Sequence, residues 1–105
     1  MAKQMVYTAR NIKADEALRI GLVNAVYPLA ELYAAAEKLA SQIAANAPIA
    51  VRAAKKAINE GLDLPMDEAV VVEEKAFGSC FETADQQEGM GAFLEKRKHE
   101  PFTNK

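Results

Sequence analysis

The chain contains one cysteine and one histidine, Cys80 and His99, so thiol or imidazole chemistry has to start from them. A catalytic cysteine needs a neighbouring base and an electropositive, partly exposed setting. Cys80 instead falls on an apolar helical stripe with Phe77 and Phe81, where a free thiol acts as a small hydrophobe. One thiol and one imidazole cannot close a zinc site. His99 ends a run of charge, a position that favours a helix C-terminus. Glu73 and Glu74 are adjacent, and helical neighbours point about 100° apart, so they do not converge as an acid/base pair. The Gly89-Met90-Gly91 triplet lies inside a helical pattern and is not a phosphate-cradling loop. The residues alone give no catalytic constellation and no metal ligand set.

The remaining candidate is the run ETADQQEGMGAFLEKRK, residues 82–98. Its cationic end, Lys96, Arg97 and Lys98, supports two readings. In one it is a solvated face complementing the helix dipole, worth a few tenths to about 1 kcal/mol. In the other a lysine meets a ligand phosphate, and Phe93, one turn earlier, offers an aromatic surface to a base or acyl chain. Composition does not choose between them. Gly89 and Gly91 raise a separate question, because each costs about 1 kcal/mol relative to alanine in a helix interior. Such a pair points to close approach by a neighbour.

These residues need helices to position them. The 105 residues are half hydrophobic and about a quarter charged, enough for one modest core. A net charge of −2 lacks the basic excess that nucleic-acid binding demands. No run approaches the roughly 18 apolar residues of a membrane span, and the N-terminus has no signal-peptide pattern. The expectation is therefore a cytoplasmic chain with no nucleic-acid or membrane partner.

The first segment, with Ala2, Met5, Val6 and Ala9 on one stripe, has nothing before it to serve as an N-cap and reads as the end of a helix that begins upstream. A short helix follows over KADEALRIG, with Asp15 and Glu16 at its start and Gly21 as a left-handed stop. LVNAVYP, residues 22–28, reads as a short strand or extended connector. From Leu29 the spacing is helical. Leu32, Ala35, Ala36, Leu39, Ala40 and Ile43 form one buried face; Pro48 opens a helix ending at Gly61, with Val51, Ala54, Ala57 and Ile58 inward. The next helix turns Ala69, Val72, Ala76, Phe77 and Cys80 inward, while Val70 and Val71 carry the apolar surface further round and suggest a second covered face. In the last, Thr83 and Gln86 have capping-box spacing and Met90, Phe93 and Leu94 form the buried stripe.

The stretches AKQMVYTARNIKADEALRIGLVNAVYP, NAPIAVRAAKKAIN and EKAFGSCFETADQQEGMGAFLEKRK together resemble the C-terminal third of the crotonase (enoyl-CoA hydratase/isomerase) superfamily, most of all its bacterial short-chain, 3-hydroxybutyryl-CoA dehydratase type. The resemblance covers essentially the whole chain. It implies a mostly α domain, residues 1–105, of the crotonase (ClpP/crotonase-like) fold, with five to six helices and a short extended connector. The β/α spiral core that carries the oxyanion hole and two catalytic glutamates would lie upstream. It further implies no catalytic residue here, no required cofactor, an acyl-CoA substrate for the full-length parent, and as partners the crotonase core and neighbouring subunits of a trimer or hexamer. By the same resemblance, Phe93 and Lys96 match positions that a neighbouring subunit contributes to the CoA site, and Phe77 matches one near the acyl-chain pocket. The family often has a capping residue where Lys13 stands, so the short second helix is expected to be weakly capped. The expected role is a lid and oligomerisation module that is inactive alone. A stand-alone helical self-association module is the alternative.

Overall fold

A computed structural model describes residues 1–105 and contains six α-helices: α1 (Ala2–Thr8), α2 (Ala14–Arg19), α3 (Leu29–Ala44), α4 (Pro48–Gly61), α5 (Met66–Cys80) and α6 (Ala84–Leu94). The mostly α reading holds. Residues 22–28 pair with no strand, so of the two readings of that stretch the connector is the one formed. The chain falls into two compact units, Met1–Lys38 and Leu39–Lys105.

In the first unit, α1 lacks a side-chain cap and stops where Ala9 turns left-handed, at φ 49°. Lys13 precedes α2 without a capping side chain. The start of α2 is tied instead by Glu16, whose carboxylate accepts from Arg10 at 2.8 and 3.2 Å. That contact lowers the Glu16 pKa and raises that of Arg10. α2 ends as its sequence predicts: Gly21 has φ 75°, its N–H donates to the Leu18 carbonyl at 3.1 Å, and Leu22 N–H donates to Ala17 at 2.9 Å. These two bonds form a Schellman motif with glycine in its left-handed slot. Ala17 is the buried residue of α2.

In the second unit α4 and α5 pack as an antiparallel pair joined by a short turn. Pro48 occupies the first turn of α4, where its missing N–H breaks no bond. The small-residue face brings the two backbones together: a Cβ added to Gly61 would lie 3.4 Å from the Ala69 Cβ. α6 follows, and residues 95–105 fold back along it.

The apolar stripes form helices as expected, but most are uncovered. Leu32, Leu39 and Ile43 of α3 are exposed, as are Met90, Phe93 and Leu94 of α6, Val6 of α1, Phe77 of α5 and Ile58 of α4. Ala17 and Ala92 are the only buried hydrophobic residues. Periodicity identifies which face of a helix is apolar; it does not say what covers that face. The chain exposes 8899 Å². A compact globule of this mass would expose roughly 5,800 Å², and two separate globules of the unit sizes roughly 6,900 Å². However the units are arranged, roughly 2,000 Å² more surface is open than compact folding leaves.

Candidate functional site: an apolar groove and a clasped helix end

An open groove of about 850 Å³ runs between α4, α5 and the first half of α6 in the second unit. Ile58, Val70, Phe77, Met90 and Phe102 supply its apolar walls. Phe77 stands edge-on to Phe81, with ring centroids 5.1 Å apart. Cys80 lines the same groove half-buried, and its Sγ–H donates to the Ala76 carbonyl at 3.4 Å, which fits its reading as a packing residue. Two carboxylates reach the lining, Glu73 and Asp85. Asp85 has both oxygens committed: Oδ1 accepts from Thr103 N–H at 2.6 Å and from the Thr103 hydroxyl at 3.2 Å, and Oδ2 accepts from Asn104 N–H at 2.9 Å. A carboxylate so occupied is a structural acceptor, not a proton shuttle.

One face of α6 receives the C-terminal segment. Thr83 caps the helix, its Oγ1 accepting from Gln86 N–H at 3.1 Å. The reverse bond of a capping box is replaced: Thr83 N–H donates to the Cys80 carbonyl, and the next two free amides, of Ala84 and Asp85, donate to the Lys105 backbone oxygen at 2.8 and 3.4 Å. Asp85, Glu88, Gly89 and Ala92 follow the spacing of one helical stripe. Asp85 is 3% and Ala92 2% exposed, the two most buried residues of the chain. Phe102 lies over Gly89 and stacks on His99, with ring centroids 4.3 Å apart. Arg52 of α4 holds the same segment through Asn104 Oδ1 at 2.6 Å.

The glycine pair therefore faces the chain's own tail. A Cβ at position 89 would sit 3.6 Å from the Phe102 ring, and one at 91 would sit 3.8 Å from an Arg97 nitrogen. Both are ordinary contact distances. Gly91→Ala is expected to raise stability by about 0.5–1 kcal/mol through helix propensity and chain entropy, read as a higher urea midpoint at unchanged slope.

The three cations of the terminal run prove unequal. α6 stops at Leu94, short of them. Lys96 N–H donates to Phe93 at 3.2 Å and Arg97 N–H to Ala92 at 3.0 Å, which is again a Schellman motif, but Lys96 occupies the left-handed slot with φ 54°. For a residue with a Cβ that conformation costs about 1–2 kcal/mol. Arg97 turns inward. It donates to Glu88 at 2.6 and 3.1 Å and to Glu95 at 2.6 Å. Lys96 and Lys98 have no carboxylate partner.

Glu88 also accepts Glu100 N–H at 2.7 Å. The Arg97 contact first and the Glu100 amide second pull its pKa down to about 2, from an ordinary 4.5. Since the folded pKa lies below the unfolded one, this group's stabilisation is complete above pH 4.5 and disappears as pH falls toward 2. The expected result is that wild type loses stability faster than Glu88→Gln over that window. Thermal melts of both at closely spaced pH values measure it; parallel curves would remove Glu88 as the cause.

The candidate residues are thus separated. Phe77 lines the groove, whereas Phe93, 76% exposed, and Lys96 lie together at the end of α6 outside that lining. Sequence reasoning missed the gripping role of Asp85, Glu88 and Phe102. The signal was present in the small and acidic stripe Asp85, Glu88, Gly89, Ala92, which is a receiving face rather than a dipole complement.

Comparison with known proteins bears on this geometry. A family model described as Enoyl-CoA hydratase/isomerase matches residues 1–105. The chain is 54% identical over 105 residues to the short-chain-enoyl-CoA hydratase of Clostridium acetobutylicum, covering 100% of the chain and 40% of that protein. It is 54% identical over 98 residues to the crotonyl-CoA hydratase of Syntrophomonas wolfei, covering 93% of the chain and 38% of the relative. The crystal structure of an enoyl-CoA hydratase from Bacillus anthracis aligns with a TM-score of 0.92 at 39% identity, over 99% of the chain and 40% of the crystallised protein. The chain therefore spans about 40% of the length of these relatives.

Proposed function

Because the chain belongs to the enoyl-CoA hydratase/isomerase family, we propose that it is the C-terminal helical region of a short-chain enoyl-CoA hydratase, serving as lid and assembly surface. The parent reaction is reversible hydration of a 2-enoyl-CoA to a 3-hydroxyacyl-CoA, in the cytoplasm. No helix is long and apolar enough to cross a membrane. In this reading Lys96 and Phe93 contact the coenzyme, Phe77 borders the acyl chain, and the groups that add water belong to a β/α core outside these residues. The 105-residue chain does not turn over by itself.

One observation carries the proposal: the open surface, roughly 2,000 Å² beyond compact folding, with large apolar residues exposed on helix faces whose sequence pattern is that of buried ones. A surface of that size corresponds to one side of a large obligate interface. The unpaired Lys96 beside the exposed Phe93 supports the coenzyme assignment. Such a pair offers a phosphate a charged donor and a base or acyl chain a flat apolar contact.

The test is complementation. The 105-residue chain is co-purified with the segment of the Clostridium acetobutylicum relative that lies outside the match, and crotonyl-CoA hydration is followed. Expected are no turnover by either piece and restored turnover by the pair. Turnover by the chain alone, or a pair that neither assembles nor reacts, overturns the reading. Exposed Val70 and Val71 favour the self-association alternative, and light scattering of the chain alone measures it.

A further inference from the structure

We propose that Glu88 is a positioning residue for coenzyme binding: its carboxylate grips the 95–100 turn and so holds Lys96 in the left-handed conformation from which it meets a phosphate. The inference rests on the coenzyme reading of Lys96 given above.

Two helices of this chain end in the same backbone motif and fill its strained position differently. At the end of α2 the slot is Gly21, φ 75°, where glycine adopts the conformation freely. At the end of α6 it is Lys96, φ 54°, with closely matching backbone bonds at 3.2 and 3.0 Å. Ala9 after α1 is left-handed too, at φ 49°, so the conformation alone assigns no role; Lys96 is set apart by what holds it there.

The α6 turn also carries reinforcement around that position. Glu88 Oε1 accepts from Arg97 Nη1 on one side of the turn and from Glu100 N–H on the other, and Oε2 accepts from Arg97 Nη2. Glu95 takes the remaining edge of the guanidinium at Arg97 Nε. One carboxylate thus closes a ring around residues 97–100, immediately after Lys96. Arg97 is neutralised within this clamp, so the cationic edge left for an external anion consists of Lys96 and Lys98. Fixing the turn before the ligand arrives removes an ordering cost from binding.

Coenzyme A is titrated calorimetrically into the complemented pair described above, at neutral pH and low salt, with the 105-residue chain as wild type, Lys96→Ala, Glu88→Ala and Glu88→Gln. The amide–Hα coupling of Lys96 and the exchange protection of the Arg97 amide are followed by NMR on the same samples. Lys96→Ala is expected to weaken binding about tenfold or more, through loss of a charge-assisted contact. Glu88→Ala is expected to weaken it about tenfold and to release Lys96 from the left-handed region. Glu88→Gln should fall between, because its amide oxygen still accepts from Glu100 N–H.

Loss of binding in Lys96→Ala with wild-type affinity in both Glu88 variants discards the positioning role and leaves the coenzyme reading standing. Equal affinity of wild type and Lys96→Ala, or no binding by wild type, discards both. Weaker binding in Glu88→Ala with the Lys96 coupling and Arg97 protection unchanged also overturns the proposal, since Glu88 would then act by another route. Should Glu88→Ala unfold, Glu88→Gln decides: full helicity and wild-type affinity refute the role.

Discussion

Asp85→Ala is expected to destabilise the second unit by about 3 kcal/mol and to detach residues 102–105 from α6. Asp85 is 3% exposed, and three donors from the tail converge on it, two of them backbone amides at 2.6 and 2.9 Å. Removing the carboxylate leaves the Thr103 and Asn104 amides without an acceptor. Hydrogen bonds to a charged group contribute roughly 1.5–3 kcal/mol each, and a stranded donor carries its own desolvation penalty of about 1–3 kcal/mol where water cannot reach it. The tail can swing into solvent and recover part of this, which holds the net loss to about 3 kcal/mol instead of the sum.

That release has consequences further along. The Lys105 oxygen leaves the Ala84 and Asp85 amides, Phe102 leaves Gly89, and the Arg52 contact to Asn104 is lost. Urea unfolding gives the stability change, and hydrogen exchange at Thr103 and Asn104 separates tail release from general loosening. Asp85→Asn keeps one acceptor and should lose roughly half as much. Protection at Thr103 unchanged in Asp85→Ala would show that the tail is held by Phe102 and Arg52 alone.

How much of this was legible beforehand depends on which interactions are local. The six helices follow from short-range rules: the stop at Gly21, Pro48 in the first turn of α4, and the Thr83 cap all lie within a few residues of what they control. The close α4–α5 pairing follows from small residues at helical spacing, and Gly61 against Ala69 is where that spacing becomes contact. Burial was not legible. Leu39, Ile43 and Ile58 have the pattern of core residues and are exposed, because the pattern records an eventual neighbour without naming it.

The tail was not legible either. Asp85 and Glu88 sit where a helix dipole favours acids, which is sufficient reason for their presence, and nothing within four residues signals partners 18 and 9 positions away. The same limit applied to EKRK. As a string it is three equivalent cations, and only the backward turn of Arg97 onto Glu88 divides it into one internal and two external charges. Phe93 and Lys96, one turn apart in the sequence, do share one end of α6, while Phe77 belongs to the groove.

Ile58→Asp is expected to leave the isolated chain as stable as wild type within about 0.5 kcal/mol and to lower complemented hydratase activity by at least about 100-fold. The two halves of that expectation have one cause. Ile58 is 68% exposed in the chain and makes part of the groove wall, so replacing it removes little packing and buries no charge. In the proposed assembly the rest of the enzyme covers the groove, which makes the same position interior. A carboxylate there has one counter-ion within reach along α4, Lys55, three residues back, and such an i,i+3 pair returns only about 0.2–0.5 kcal/mol, while Lys56 is turned toward Glu60. Burying it costs several kcal/mol, and three of these correspond to more than 100-fold in assembly. Ile58→Leu, of equal volume, should assemble and support turnover normally. Comparing thermal melts of the free chain with activity of the mixture separates the two effects. Full complementation by Ile58→Asp would show that the groove stays open to water in the assembled protein, and the assembly surface would then have to be the exposed faces of α3 and α6 instead.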